Sequence, residues 1–203
     1  PSVSCWEVIL FIQRAGTFIV FQIHKNKTRR IPKFIAEVTV TFNAESVIDD
    51  SIHSIISQDY DNKEIIIIDG LSIDETINKI NSFKNKIDIF LSEKDLGIYD
   101  AMNKGLELAS GDFLIFMNAG DFFFSNDTIS KVVNFITQKN AIYYGNAIYI
   151  SEDKNLKYER GGVFNKFRLA STNICHQTIF YPKTVYKSEK YNINYRLFDD
   201  WEY

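Results

Sequence analysis

The chain has 203 residues, 45% of them hydrophobic and 24% charged, with a net charge of −3. That balance belongs to an ordinary globular domain and gives no electrostatic footing for a nucleic-acid partner. Two widely spaced cysteines, Cys5 and Cys175, exclude a zinc finger, a CxxC pair and a disulfide scaffold, so a reducing compartment is expected.

Residues 8–23 (VILFIQRAGTFIVFQI) are the one stretch with membrane character. They fall short of the roughly 20 apolar residues of a spanning helix, and Gln13 and Arg14 interrupt them. No small-residue cleavage site follows, which argues against a secretory signal. Residues 1–33 therefore stand apart as an N-terminal segment of open role. They read as an extra strand pair, an interfacial segment or sequence outside the working domain. The basic run at 25–30 (KNKTRR) reads as a solvated loop.

From residue 34 the pattern becomes regular. Residues 34–42 are β-rich, and 46–57 carry Ile48, Ile52, Ile55 and Ile56 at helical spacing. Residues 64–69 (EIIIID) form a continuous apolar run, as expected of a strand covered on both faces. A helix is expected over 74–83, a strand over 87–91, a helix over 98–109, a strand over 112–117 and a helix over 128–138. Strands alternating with helices of this length predict an α/β fold with a mostly parallel central sheet flanked by helices. Beyond residue 141 the alternation breaks down. Residues 142–150 read as one strand, Gly161-Gly162 as a turn, and 177–181 as a strand stopped by Pro182. The chain stops at residue 203 without a terminal helix or tail, an ending expected of a fragment of a longer protein.

In an open parallel sheet, ligands bind beyond the carboxyl ends of the strands. Those ends carry Thr41-Phe42-Asn43-Ala44-Glu45, then Asp69-Gly70-Leu71-Ser72, then Glu93-Lys94-Asp95-Leu96-Gly97, then Asn118-Ala119-Gly120-Asp121. Several of these have plain structural readings. Asn43 can cap the first helix, Ser72 with Glu75 fits a capping box, and Gly70 and Gly97 suit positions of positive φ. Capping does not explain Asp69 or Asp121, because a carboxylate at the end of a buried strand is costly unless paired, hydrogen-bonded or bound to a cation. No glycine-rich phosphate-cradling motif is present. A hard cation offers another way to hold phosphates, since Mg²⁺ needs only one or two carboxylates, and Asp121 is the natural candidate.

Six blocks, "VTVTFNAE", "IIIIDGLSIDET", "DLGIYDAMNKGLELASGD", "FMNAGD", "HQTIFY" and "DDWEY", occur in the order seen in family 2 glycosyltransferases of the GT-A fold, and the chain resembles that family over residues 34–203. The resemblance implies a GT-A-type nucleotide-diphospho-sugar transferase domain at 34–203, cut short at its C-terminus. It implies an inverting, hexosyltransferase-type enzyme that moves a sugar from a UDP-sugar or other nucleotide-sugar to an acceptor hydroxyl with Mg²⁺ or Mn²⁺. By the same resemblance Thr41, Phe42 and Glu45 hold uridine and ribose, and Asp69 reads the uracil edge. Asp95, Gly97, Asp100, Asn103 and Lys104 line the nucleotide and donor sugar. "NAGD" stands where the family has an Asp-x-Asp-type motif, with Asn118 offering a carbonyl or binding ribose and Asp121 holding the metal. His176, with Gln177, lies near the acceptor. Asp200 aligns with the catalytic base, Asp199 and Glu202 being the neighbours a one-residue slip would select.

Family members of this pattern build bacterial surface polysaccharides. By that analogy the acceptor is a sugar or lipid-linked sugar, and the enzyme is cytoplasmic, touching the inner face of the membrane. Two rivals remain: a nucleotidyltransferase, whose glycine- and lysine-rich first loop is missing at 41–45, and an inactive nucleotide-sugar-binding module.

Overall fold

The computed structural model describes residues 34–150 and 175–194, together with the course of the strands Trp6–Val8, Thr17–Ile23 and Leu156–Glu159. In chain order the strands are β1 (Trp6–Val8), β2 (Thr17–Ile23), β3 (Ile35–Thr41), β4 (Lys63–Asp69), β5 (Ile89–Ser92), β6 (Phe113–Phe116), β7 (Tyr143–Tyr144), β8 (Asn146–Ile150), β9 (Leu156–Glu159) and β10 (Ile179–Pro182). The helices are α1 (Ile48–Ile56), α2 (Thr76–Ser82), α3 (Ile98–Leu108), α4 (Thr128–Phe135) and the single turn α5 (Lys183–Tyr186).

The main sheet has six strands in the order β5-β4-β3-β6-β10-β7. The pairs β3–β4, β3–β6 and β4–β5 are parallel, with Val38 opposite both Ile66 and Phe116. Strand β10 enters antiparallel between β6 and β7. This is the mostly parallel α/β sheet that the strand–helix alternation predicts. A second, four-stranded antiparallel sheet runs β1-β2-β8-β9.

Side chains alternate across the main sheet into two cores. One face joins Ile35, Ile65, Ile67, Phe113 and Ile115 to the isoleucines Ile48, Ile52 and Ile55 of α1 and to Ile129 and Val132 of α4. The other joins Ala36, Val38, Ile66, Ile68, Leu114 and Phe116 to Met102 and Leu106 of α3. Each of the three α1 isoleucines is fully buried, a contribution of roughly 1.5–3 kcal/mol per side chain. No helix among the described residues is long and apolar enough to cross a membrane, and Thr17–Ile23 is a strand.

Three expected features differ. The expected strand at 142–150 is two strands in different sheets, parted at Gly145, whose N–H donates to Thr178 O. The strand expected at 177–181 starts later, because 176–178 coil into a 3-10 turn, and it continues through Pro182. Helix α4 ends at Phe135 rather than 138, because the N–H groups of Thr137 and Gln138 both donate to the Tyr143 hydroxyl at 2.9 Å. The turn expected at Gly161-Gly162 lies outside the described residues.

Glu37 lies in the middle of β3 with no exposed surface, and neither carboxylate oxygen is hydrogen-bonded by a described residue. Loss of hydration pushes its pKa up to about 8, and the charge of Lys63 offsets only part of that. The native chain thus keeps a proton that the unfolded chain releases above pH 4.5, so this residue withdraws stability as pH rises from 4.5 to about 8. The full effect is at most about 5 kcal/mol. We expect Glu37→Leu to be more stable than the parent by a margin that widens between pH 5 and pH 8; urea midpoints that move in parallel would refute it.

Candidate functional site

A cavity of 390 Å³ opens at the carboxyl ends of β3 and β6, against the start of α3. Its walls include Thr41, Phe42, Asn43, Asp95, Gly97 and Asn118. Four backbone segments converge here because the sheet ladder runs past the formal strand ends: Gly70 N donates to Thr41 O, Ala119 N to Val40 O and Glu93 N to Asp69 O.

The 118–121 segment is a tight turn, closed by Asp121 N donating to Asn118 O at 2.9 Å. Gly120 has φ of 94°, the conformation a type II turn requires at its third residue. A side chain would be strained there, which is a physical reason for glycine at this position. Helix α1 supports the turn from below: Ser51 Oγ accepts from Gly120 N at 2.8 Å and Ser54 Oγ from Phe123 N at 2.6 Å.

Residues 175–178 meet this turn side chain to side chain. Gln177 Nε2 donates to Asp121 Oδ2 at 3.1 Å, and Asn118 Nδ2 stands 3.3 Å from His176 Nε2. The two motifs, 58 residues apart at Asn118 and His176, thus interlock. Asp121 has no exposed surface. Asn118 Oδ1 is buried and accepts no hydrogen bond from any described residue.

Of the residues singled out from sequence, Thr41, Phe42, Asp95, Gly97 and Asn118 line the cavity together. The other described ones do not line it. Asp69 is fully buried and turned inward, accepting from Ser72 N, Ser72 Oγ and Ser92 Oγ at 3.0, 2.5 and 2.6 Å. Glu45 accepts from Glu75 N, tying two loops together. Asn103 exchanges two 2.8 Å hydrogen bonds with the Tyr191 backbone. Lys104 bridges Glu93 at 3.0 Å and Asp100 at 3.6 Å, and its ammonium also donates to Lys94 O. Burial lowers the Lys104 pKa, but Glu93, Asp100 and Asp95 outweigh it and hold it above its ordinary value. Asp100 lines a second cavity of 530 Å³ with Leu96, Tyr99 and Ile193. Asp199, Asp200 and Glu202 lie outside the described residues.

Three local readings are corrected. Asn43 does not cap α1: it has φ of 48° and its Oδ1 accepts from Ile73 N at 2.9 Å. Ser72 and Glu75 form no capping box, because the Ser72 hydroxyl donates to Asp69 and accepts from Asn43 N, and α2 begins only at Thr76. Positive φ at 69–72 falls on Leu71 rather than Gly70. Sequence reasoning missed Ser92 as a partner of Asp69 and Gln177 as the donor to Asp121. The first has no local signal, whereas the HQ pair was already visible in the sequence.

A profile of the family described as Glycosyl transferase family 2 matches residues 38–198. The chain belongs to glycosyltransferase family 2. A "PGL/p-HBAD biosynthesis glycosyltransferase" of Mycobacterium tuberculosis is 34% identical over 170 residues, covering 80% of this chain and 65% of that protein. The chain thus spans just under two thirds of the mycobacterial relatives it matches. An uncharacterized glycosyltransferase of Haemophilus influenzae is 33% identical over 125 residues, 60% of this chain and 50% of the relative.

Among solved structures, S. aureus TarS 1–349 in complex with UDP superposes with a TM-score of 0.62 at 17% identity, over 82% of this chain and 52% of that TarS fragment. The mannosyltransferase PcManGT from Pyrobaculum calidifontis, solved with GDP-Man and Mn²⁺, gives 0.51 at 19% identity, over 55% and 34% of the two chains. At this identity the likeness is one of fold, the GT-A arrangement of this glycosyltransferase family.

The family implies a divalent cation, and the residues here fit one in a restricted sense. No group of three or more His, Cys, Asp or Glu able to hold a metal occurs among the described residues. The oxygen donors of the 118–121 turn, the Asp121 carboxylate and the amide oxygen of Asn118, are the hard ligands Mg²⁺ or Mn²⁺ takes, with water and phosphate oxygens completing the set. The described walls of the 390 Å³ cavity contain no lysine or arginine, so they provide no cationic side chain for a diphosphate.

Gly70 is tested by its surroundings. A Cβ there would stand 2.4 Å from Asp95 Oδ2 and 3.3 Å from the Phe42 ring. Asp95 is itself committed through Oδ1 to Gly97 N at 3.0 Å, so moving it disturbs the turn into α3. Gly70→Ala should cost roughly 1–3 kcal/mol in thermal unfolding and displace both cavity walls. Unchanged stability together with unchanged nucleotide affinity would show that the close approach is not needed.

Proposed function

We propose that this family 2 glycosyltransferase moves a sugar from a UDP-sugar, or a related nucleotide-sugar, to an acceptor hydroxyl with inversion at the anomeric carbon. The carrying observation is the interlock of the 118–121 and 175–178 turns beside a cavity at the carboxyl ends of a parallel sheet. Residues 34–203 form the transferase domain in this reading, and residues 1–33 an appendage whose strands join the second sheet. The UDP in TarS, and the GDP-Man with Mn²⁺ in PcManGT, belong to the ligand class proposed here. The biosynthetic names of the mycobacterial relatives accord with a role in making a surface polysaccharide or glycolipid. In this reading the acceptor is a sugar or lipid-linked sugar met at the cytoplasmic face of the membrane.

Thr41, its hydroxyl buried, forms part of the cavity wall, and Phe42 provides an aromatic face for the nucleoside, 61% exposed and free to stack on a base. Asp69, saturated by Ser72 and Ser92, shapes the loop around the base. A bound Mg²⁺ or Mn²⁺ supplies Lewis-acid stabilisation of the diphosphate leaving group. Asp121 would hold it with Asn118. Gln177 keeps the Asp121 carboxylate fixed, and His176 keeps the Asn118 amide fixed. Asp200 accepts the proton from the acceptor hydroxyl as that oxygen attacks the anomeric carbon, a role typically worth ~10²–10⁴ in rate.

A donor screen by nucleotide release, run on the full-length gene product, tests the reading. Turnover of at least one nucleotide-sugar with Mn²⁺ or Mg²⁺ is expected. Asp200→Asn should lose ~10²–10⁴ in turnover with UDP affinity retained. Asp121→Asn should weaken metal-dependent UDP binding in calorimetry. Stabilisation by nucleoside triphosphates alone would favour a nucleotidyltransferase, and no response to any nucleotide would favour a binding module that has lost activity.

A further inference from the structure

The turn that delivers His176 and Gln177 carries a third side chain, that of Cys175. Its thiol donates to Gln177 Oε1 at 2.8 Å, on the opposite end of the amide from the Nε2 that donates to Asp121 Oδ2. An amide has one accepting and one donating end, and a carboxylate only accepts. The carboxylate therefore selects this orientation, and the thiol, a weak acceptor but able to donate, favours the same one. Reversing the amide would set its carbonyl oxygen against the Asp121 carboxylate and leave its NH₂ only the weakly accepting thiol sulfur.

Water is poorly placed to repair such a reversal, since Gln177 is 9% exposed and Asp121 not at all. The backbone holds Cys175 in place: its carbonyl accepts from both Thr178 N and Thr178 Oγ1, at 2.9 and 2.7 Å. A fixed thiol, a polar amide and a buried carboxylate thus form one hydrogen-bonded line.

We propose that Cys175 is a positioning residue, whose thiol sets the orientation of the Gln177 amide and through it that of the Asp121 carboxylate. The inference rests on the reading of Asp121 as an oxygen donor to a divalent cation. Gln177 stands one step from the ligand, where loss of a partner typically alters metal affinity 10–100-fold, and Cys175 acts through it. Serine at 175 retains a donor, whereas alanine has none.

Two measurements on the full chain test this. The first follows the side-chain NH₂ resonances of Gln177, assigned with Gln177→Leu, in protein free of nucleotide and metal. Cys175→Ala should shift them and speed their exchange with water, while Cys175→Ser leaves them near their original positions. The second measures the Mn²⁺ concentration giving half-maximal UDP binding. It should rise roughly tenfold in Cys175→Ala and recover in Cys175→Ser, with thermal midpoints of the two variants alike. Gln177→Leu should raise it as well, and adding Cys175→Ala to Gln177→Leu should have no further effect.

Unmoved Gln177 resonances in Cys175→Ala, or effects of the two substitutions that simply add, overturn the proposal. If the resonances respond as expected while Mn²⁺ leaves UDP binding of the parent protein unchanged, the cation reading of Asp121 falls and the thiol–amide orientation stands.

Discussion

Strand β10 returns antiparallel beside β6, with Tyr181 opposite Leu114 and Pro182 opposite Phe113. The pairing carries the residues just before β10 to the carboxyl end of β6, close to the turn that holds the buried Asp121. Asp121 has no exposed surface, and a carboxylate in that position needs donors. Gln177 supplies one, and Asn118 meets His176 alongside it. The geometry of the site thus follows from an ordinary sheet contact combined with the cost of burying charge.

The same cost is met differently elsewhere on the sheet. Asp69 is saturated by three hydrogen bonds from two serines, so its burial stiffens the loop that follows β4. Glu64 does the same at the opposite edge, accepting from Ser110 N, Ser110 Oγ and Gly111 N. Glu37 has no such partners among the described residues, and it lowers its cost by keeping its proton. Three buried acids at different points of the sheet therefore have three fates: a locked loop, a locked strand entry and a neutral side chain.

Much of the sheet was legible because its strands are apolar runs and its helices carry apolar residues at helical spacing. The EIIIID run became β4, and Ile48, Ile52 and Ile55 became the buried stripe of α1. Pairing direction is not a local property, so nothing in the sequence marked β10 as antiparallel. The break at Gly145 was hidden because apolar residues continue on both sides of it. Within the site, the cavity-lining set around Thr41, Phe42, Asp95, Gly97 and Asn118 was accessible from strand ends and motif order. The inward turn of Asp69 was not, because it depends on Ser92 from a neighbouring strand. Asn43 and Ser72 misled for a related reason: both make hydrogen bonds between loops in place of the local caps their positions allow.

At Gly145 the chain passes from one sheet to the other with no intervening loop: Tyr144 pairs with Ile179 in the main sheet, and Asn146 pairs with Val20 in the second. The same residue's N–H is bonded to Thr178, the last residue of the 3-10 turn bearing His176 and Gln177. A tilt of the small sheet consequently bears on the turn whose side chains meet Asn118 and Asp121. Residues remote in sequence are thereby joined mechanically to the 118–121 turn.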